Sequence, residues 1–154
     1  GSLADEIAAG VQQLSQPGRV RLHGSVDFET ELVPFTRTRA DMFLGCHRQA
    51  DPSCTYIEVM GCGVAVASYD NEMWNRLNAA SDAGWGAPLG NPQALGDRIA
   101  FVARTPDEIT RRSRNALAHS RAHAFHQEFR RGMKHLARIA GNAPRGETQL
   151  SLVS

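Results

Sequence analysis

The stretch from Cys46 to Trp85 constrains the fold more than any other part of the chain. It holds all three cysteines, a run rich in β-branched and aromatic residues, and a helix start, Met73-Trp74-Asn75-Arg76-Leu77-Asn78, that has no echo elsewhere. Thr55–Met60 and Val64–Tyr69 have the composition of two strands, because branched and aromatic side chains pack well on a pleated surface. Gly61-Cys62-Gly63 between them fits a tight turn or a bulge, since glycine adopts backbone angles that other residues avoid. Asp70 or Asn71 then caps a helix over residues 71–83, with Met73, Leu77 and Ala80 on its apolar side.

The flanks are read by period and punctuation. Leu3, Ile7, Val11 and Leu14 lie on one stripe and predict a helix over residues 3–16, stopped by Pro17-Gly18. Residues 19–28 alternate apolar Val20, Leu22, Val26 and Phe28 with polar neighbours, the pattern of a half-buried strand kinked at Gly24. Within residues 29–43, Pro34 argues against a long helix, and Phe35 to Phe43 suit a strand or a short helix. Residues 84–97 carry four glycines and two prolines and predict a long loop. Ile99-Ala100-Phe101-Val102 predicts a short buried strand over residues 98–104. Thr105-Pro106-Asp107-Glu108 opens a helix, with Pro at its first position and acids facing the positive end of its dipole. That helix runs to about residue 140 with an apolar stripe of Ala118, Ala122, Phe125, Phe129, Met133, Leu136 and Ile139, and it can break near residues 113–115. Residues 141–154 have the look of a flexible tail. The order lacks strict strand–helix alternation, so the expected fold class is α+β: an antiparallel sheet of about 4–5 strands flanked by helices, in one domain over residues 1–140.

Composition narrows the function. The chain has 154 residues, 42% hydrophobic and 21% charged, as in soluble globular domains. No apolar run approaches the roughly 20 residues of a membrane-crossing helix, so no membrane partner is expected. No leader pattern is visible, and Gly1-Ser2 has the look of an expression scar. Residues 1–103 carry 7 Arg and 12 acids, a balance of −5, while residues 104–154 carry 10 basic and 4 acidic residues, a balance of +6. A basic third of this kind can touch nucleic acid or simply complement an acidic body. Three cysteines leave at least one thiol unpaired. Cys46 and Cys54 flank the Asp51-Pro52 turn signal, so a hairpin there would bring their sulfurs together, disulfide-linked in an oxidising periplasm or outside the cell and reduced in a bacterial cytoplasm.

Several residues invite chemistry. Cys62 between two glycines is the candidate nucleophile, with exposed amide N–H groups to hold an oxyanion and His119, His123, His126 or His135 as the base that ionises it. That set describes a Cys-His amidohydrolase or deamidase, as in a secreted effector. A buried structural cysteine is the competing reading. His119 and His123, one turn apart, can share a metal, and Cys46, His47 and Cys54 are a second conceivable ligand set, but neither spacing matches a standard site. No metal or cofactor is therefore expected. The arginines of the last helix could grip phosphates as a nucleic-acid regulator would, yet no aromatic stacking platform accompanies them. No phosphate loop or dinucleotide fingerprint is present.

The middle of the chain resembles the YbjN-like family, which shares the fold of type III secretion chaperones. The resemblance covers residues 40–105 and rests on Phe43-Leu44-Gly45-Cys46, Cys54, the alternation over residues 55–59, Met73-Trp74-Asn75-Arg76-Leu77-Asn78 and the small residues 83–87. Departures are a short N-terminal strand region, a missing glycine pair after the last strand, and a longer, more basic final helix. The resemblance implies a helix-flanked antiparallel sheet, often dimeric, that binds protein segments and catalyses nothing. The expected function is thus a non-enzymatic, chaperone-like or adaptor domain and a homodimer, binding another protein or peptide through a sheet edge or apolar groove. Trp74 is expected to anchor its helix, or, if exposed, to form a partner surface with Asn75, Arg76 and Asn78.

Overall fold

The computed structural model describes residues 3–49 and 54–142, which divide between Arg39 and Ala40 into two compact units. The Asp51-Pro52 turn and the tail beyond residue 142 lie outside the described residues.

The first unit contains helix α1 (Leu3–Gln12), a 3-10 turn at Pro17–Arg19, and a wide π-type turn at Phe28–Leu32 that runs into helix α2 (Val33–Arg39). Asp27 caps that turn: its Oδ1 accepts from Thr30 Oγ1 at 2.6 Å and from Thr30 N at 2.8 Å, and these bonds hold its carboxyl below the ordinary range. None of the unit's described residues is buried. Residues 20–27 are irregular rather than a strand, and Val20, Leu22 and Val26 are all exposed. The alternation is there, but no neighbouring strand among the described residues takes up the segment's backbone N–H and C=O groups, and an unpaired strand is not stable in water.

The second unit alternates strictly from β1 to β3: β1 (Met42–Gly45), α3 (Thr55–Gly61), β2 (Ala65–Tyr69), α4 (Glu72–Ser81) and β3 (Gly84–Ala87). Helices α5 (Pro92–Val102), α6 (Pro106–Ala122) and α7 (Phe125–Asn142) follow. The sheet has the order β1-β2-β3, and both pairs are parallel, with Gly45 beside Ser68 and Tyr69 beside Ala87. Every residue of β2 is buried, as expected of a central strand covered on both faces. Val66 packs with Tyr56, Val59 and Met60 of α3, Trp74 and Leu77 of α4, and Ala116 of α6. The alternate residues Ala65, Ala67 and Tyr69 pack with Trp85 and Ala87 of β3 and Leu95 and Val102 of α5.

The mixture of helix and strand matches expectation, but the sheet does not. It is three-stranded and all parallel, not antiparallel with four to five strands. The discrepancy begins at Thr55–Gly61, expected as a strand and found as a helix. Tyr56, Val59 and Met60 are its buried residues, and that i, i+3, i+4 spacing is one helical face. A helix there carries the chain back so that β2 runs parallel to β1. Likewise, residues 98–102 lie in α5 rather than a strand. Leu95 and Val102 are buried on one face of that helix, which starts where Asn91 Oδ1 accepts from Ala94 N at 3.0 Å and Pro92 takes the first turn. Residues 84–87 of the expected loop are β3. The long final helix is two helices, because His123 leaves helical geometry at φ −113°, ψ 26°.

Candidate functional site at the carboxyl edge of the sheet

Three parallel strands in register deliver their exits side by side, and in open parallel sheets this carboxyl edge is where ligands bind. Here the exits are Cys46-His47-Arg48 after β1, Asp70-Asn71 after β2 and Pro88 to Gly90 after β3. A buried polar network holds the first two. Tyr56 Oη lies 2.7 Å from Ser68 Oγ, and Asn71 Nδ2 donates to Tyr56 Oη at 3.2 Å and to the His47 carbonyl at 3.0 Å. Asn71 Oδ1 accepts from Trp74 N at 2.8 Å and so caps α4 with the same side chain. Asn71 is 3% exposed, which makes this joint between β1, α3 and α4 an interior one. Gly45 leaves room for it: a Cβ there would lie 2.9 Å from both Ser68 Oγ and Tyr56 Cε1.

On this base stand three polar side chains with little local compensation. The His47 ring meets Tyr56 edge-on, centroids 5.6 Å apart, and its Nδ1 is buried without a hydrogen-bond partner. Arg48 is exposed and lies over Gly90, where a Cβ would come within 3.4 Å of its Nη2. Gly90 has φ +72°, a left-handed turn that glycine takes without strain. Asp70 sits over Gly86, and any side chain at position 86 would collide with its carboxylate. Partial burial pushes the Asp70 carboxyl up, and the charge of Arg98 offsets this only in part. The edge therefore offers a cation, an imidazole and a carboxylate beside bare backbone at two glycines. It is suited to an anionic, hydroxyl-rich ligand.

The sequence-selected residues fall elsewhere. Trp74 is fully buried; its Nε1 donates to the Trp85 carbonyl at 3.2 Å, and its ring lies 5.2 Å from that of Tyr56. Asn78 Oδ1 accepts from Gly84 N at 2.9 Å and ties α4 to β3. Asn75 Nδ2 donates to the Asp70 carbonyl at 3.4 Å, and Arg76 pairs with Glu72 at 2.6 Å on the surface of α4. Cys62 closes α3 just before β2 begins, at the opposite edge, half-buried against the core. No hydrogen bond joins it to a histidine among the described residues. His119 and His123 stack at 4.4 Å, and burial, with the neighbouring His123, holds the His119 imidazole below its ordinary value. His123 Nδ1 lies 2.8 Å from Glu128 Oε1, while His126 sits exposed on α7. No cluster of three metal-ligating side chains occurs among the described residues. Cys46 and Cys62 carry free thiols.

Sequence reasoning singles out Cys46 and His47 but passes over Arg48, Asp70 as a site group, and Asn71 as a joint. The available signal is the polar pair or triplet that follows each of the first two strands.

No family model matches the chain, and no curated protein does. The resemblance to YbjN-like proteins gains no support from either comparison. Solved structures do match. A sucrose-phosphate synthase from Thermosynechococcus elongatus superposes with a TM-score of 0.75 at 19% identity, over 91% of this chain and 35% of that one. The chain thus spans about a third of the synthase's length. This likeness is one of fold, and it overturns the chaperone-like reading, which depended on an antiparallel secretion-chaperone sheet.

Proposed function

We propose that this chain binds a phosphate-activated sugar at the carboxyl edge of its sheet, as part of a glycosyl-transferring enzyme. The observation that carries the reading is the polar grouping at the exits of an all-parallel sheet: His47 and Arg48 after β1, Arg48 exposed over Gly90 with no ion pair among the described residues, and Asp70 over Gly86. The fold likeness to a sucrose-phosphate synthase supports it by naming a chemistry, glycosyl transfer, that needs such a site. In this reading Arg48 bonds the phosphate and Asp70 accepts from sugar hydroxyls. Gly86 and Gly90 let the ligand approach the backbone. During transfer the bond from the anomeric carbon to the phosphate oxygen breaks and the electron pair stays on phosphate. The acceptor hydroxyl oxygen bonds to that carbon and releases its proton to solvent. A fixed cation stabilises the charge that develops on the leaving phosphate.

Titration calorimetry with glycosyl phosphates, with and without a nucleoside, tests the proposal. Saturable binding is expected, weakened about tenfold or more by Arg48→Ala, since a charge-assisted phosphate bond is among the strong ones. The melting temperature should not change. Absence of binding across the panel, or equal binding by the variant, would refute the reading.

A further inference from the structure

Helix α7 is the most one-sided element of the molecule, and none of its residues 125–141 is buried. At 100° per residue, Phe125, Phe129, Met133, Leu136 and Ile139 fall within an arc of roughly 120°. Each of the five is at least half exposed. A stripe of this kind is expected to cover the sheet; instead it faces away from any core, with the Phe125 and Phe129 rings stacked 5.9 Å apart. The opposite side is basic. Arg130, Arg131, Lys134 and Arg138 stand against a single acid, Glu128, a helix balance of +3. Glu128 is already engaged by Arg131 at 2.7 Å and by His123. Arg130, Arg131, Lys134, His126 and Gln127 line a shallow basic hollow of about 310 Å³.

We infer that α7 lies flat on an anionic lipid surface, with its phenylalanine stripe in the acyl boundary and its arginine and lysine side chains on lipid phosphates. Three features favour that occupant. A sharp division into one apolar and one basic face, on a helix that is polar as a whole, is the pattern of helices that lie in the interface plane. The cations of that opposite face match the negative potential of anionic lipids. A second copy fits less well, because pairing two stripes would bring two +3 helices together without acids to offset them. No described helix is long and apolar enough to cross a membrane, but a helix lying on one has no such requirement. The expectation of no membrane partner rests on the missing span alone.

Co-sedimentation of the full chain with vesicles tests this. Binding is expected to vesicles of equal parts phosphatidylglycerol and phosphatidylcholine, and about tenfold less to phosphatidylcholine alone. Raising salt should weaken it. A Phe129→Ser, Leu136→Ser variant and a separate Arg130→Glu, Lys134→Glu variant should each lose about tenfold or more, with the core unfolding transition unchanged because α7 contributes nothing to the core. Equal binding by wild type and both variants would overturn the inference. So would absence of vesicle binding, whether accompanied by a dimer in sedimentation velocity or by RNA binding that survives the serine variant.

Discussion

The two edges of the sheet are built from similar side chains and put to opposite uses. At the amino edge Asp82 ends α4 in a left-handed conformation, φ +48°, and meets Arg111 and Arg112 of α6. Glu108 bonds Arg111 at 2.9 Å, Asn115 Nδ2 donates to the Asp82 carbonyl at 3.1 Å, and Arg112 also donates to the Gly84 carbonyl. Arg112 lies 4.9 Å from the Trp85 ring centre and has only 17% of its side chain exposed. Its Nη1 is spent on Asp82 and the Gly84 carbonyl, while its Nε is buried without a hydrogen-bond partner, 3.7 Å from a Glu108 carboxylate oxygen. At the carboxyl edge Arg48 has no ion pair among the described residues, and His47 Nδ1 is buried without a partner. Charge that is satisfied internally holds elements together, whereas charge left open is available to a ligand. That contrast separates polar groups tied between elements from polar groups standing at the strand exits.

Trp74 supports both edges and gives the largest expected effect. Its backbone N–H engages the Asn71 joint of the carboxyl edge, its indole N–H engages β3, and its ring fills the core between α3 and β3. Trp74→Ala should lower unfolding free energy by about 3–5 kcal/mol in denaturant titration. A loss under about 1 kcal/mol would mean that the edges do not share a core.

The contrast itself is sharpened by two arginines. Arg112→Met should cost about 1.5–3 kcal/mol, because it strands the Gly84 carbonyl and an Asp82 oxygen and removes the contact on Trp85. Arg48→Met should change stability by less than about 0.5 kcal/mol, the range of a surface position. Equal costs for the two variants would erase the distinction drawn between the edges.

How far the sequence foretells this depends on how local each signal is. Strand β2 and helix α4 are legible, since the short run holding Val64, Val66 and Tyr69 and an Asx cap act within a few residues. Helix α3 is not. Thr, Tyr, Ile and Val favour strands, and the competing helical face of Tyr56, Val59 and Met60 is only two turns long. Strand β3, Gly-Trp-Gly-Ala, has almost no strand propensity. It forms because Gly84 fits beneath the Val66 carbonyl and the Trp74 ring, where a Cβ would collide. The site is the least legible part. Arg48, Asp70 and Gly90 matter only because parallel register brings three distant exits together, a property that no single window of sequence contains.

Acid titration separates the edges more gently. Hydrogen bonds from Arg111 hold both the Asp82 and Glu108 carboxyls below their ordinary values. Stability from such groups is complete above the unfolded carboxylate value, roughly 4, and fades as pH falls through the lower folded value. Asp82→Asn should therefore melt below wild type at pH 7, and the gap should close as the solution is acidified toward about pH 3.

Asp70 should show the opposite sign and the smallest shift. Burial raises its folded value, so the fold prefers the protonated acid. Its contribution is fully favourable below the unfolded value and is lost as pH rises through the folded one. At neutral pH the ionised Asp70 is thus a small cost that the carboxyl edge carries while empty. Asp70→Asn, which keeps the shape over Gly86 and removes the charge, should melt slightly above wild type at pH 7 and level with it near pH 3. It should also weaken glycosyl phosphate binding, because an amide is a poorer acceptor for sugar hydroxyls than a carboxylate. Differential scanning calorimetry at the two pH values, paired with titration calorimetry, reads both effects. A destabilised Asp70→Asn at pH 7 would place Asp70 among the structural charges of the opposite edge.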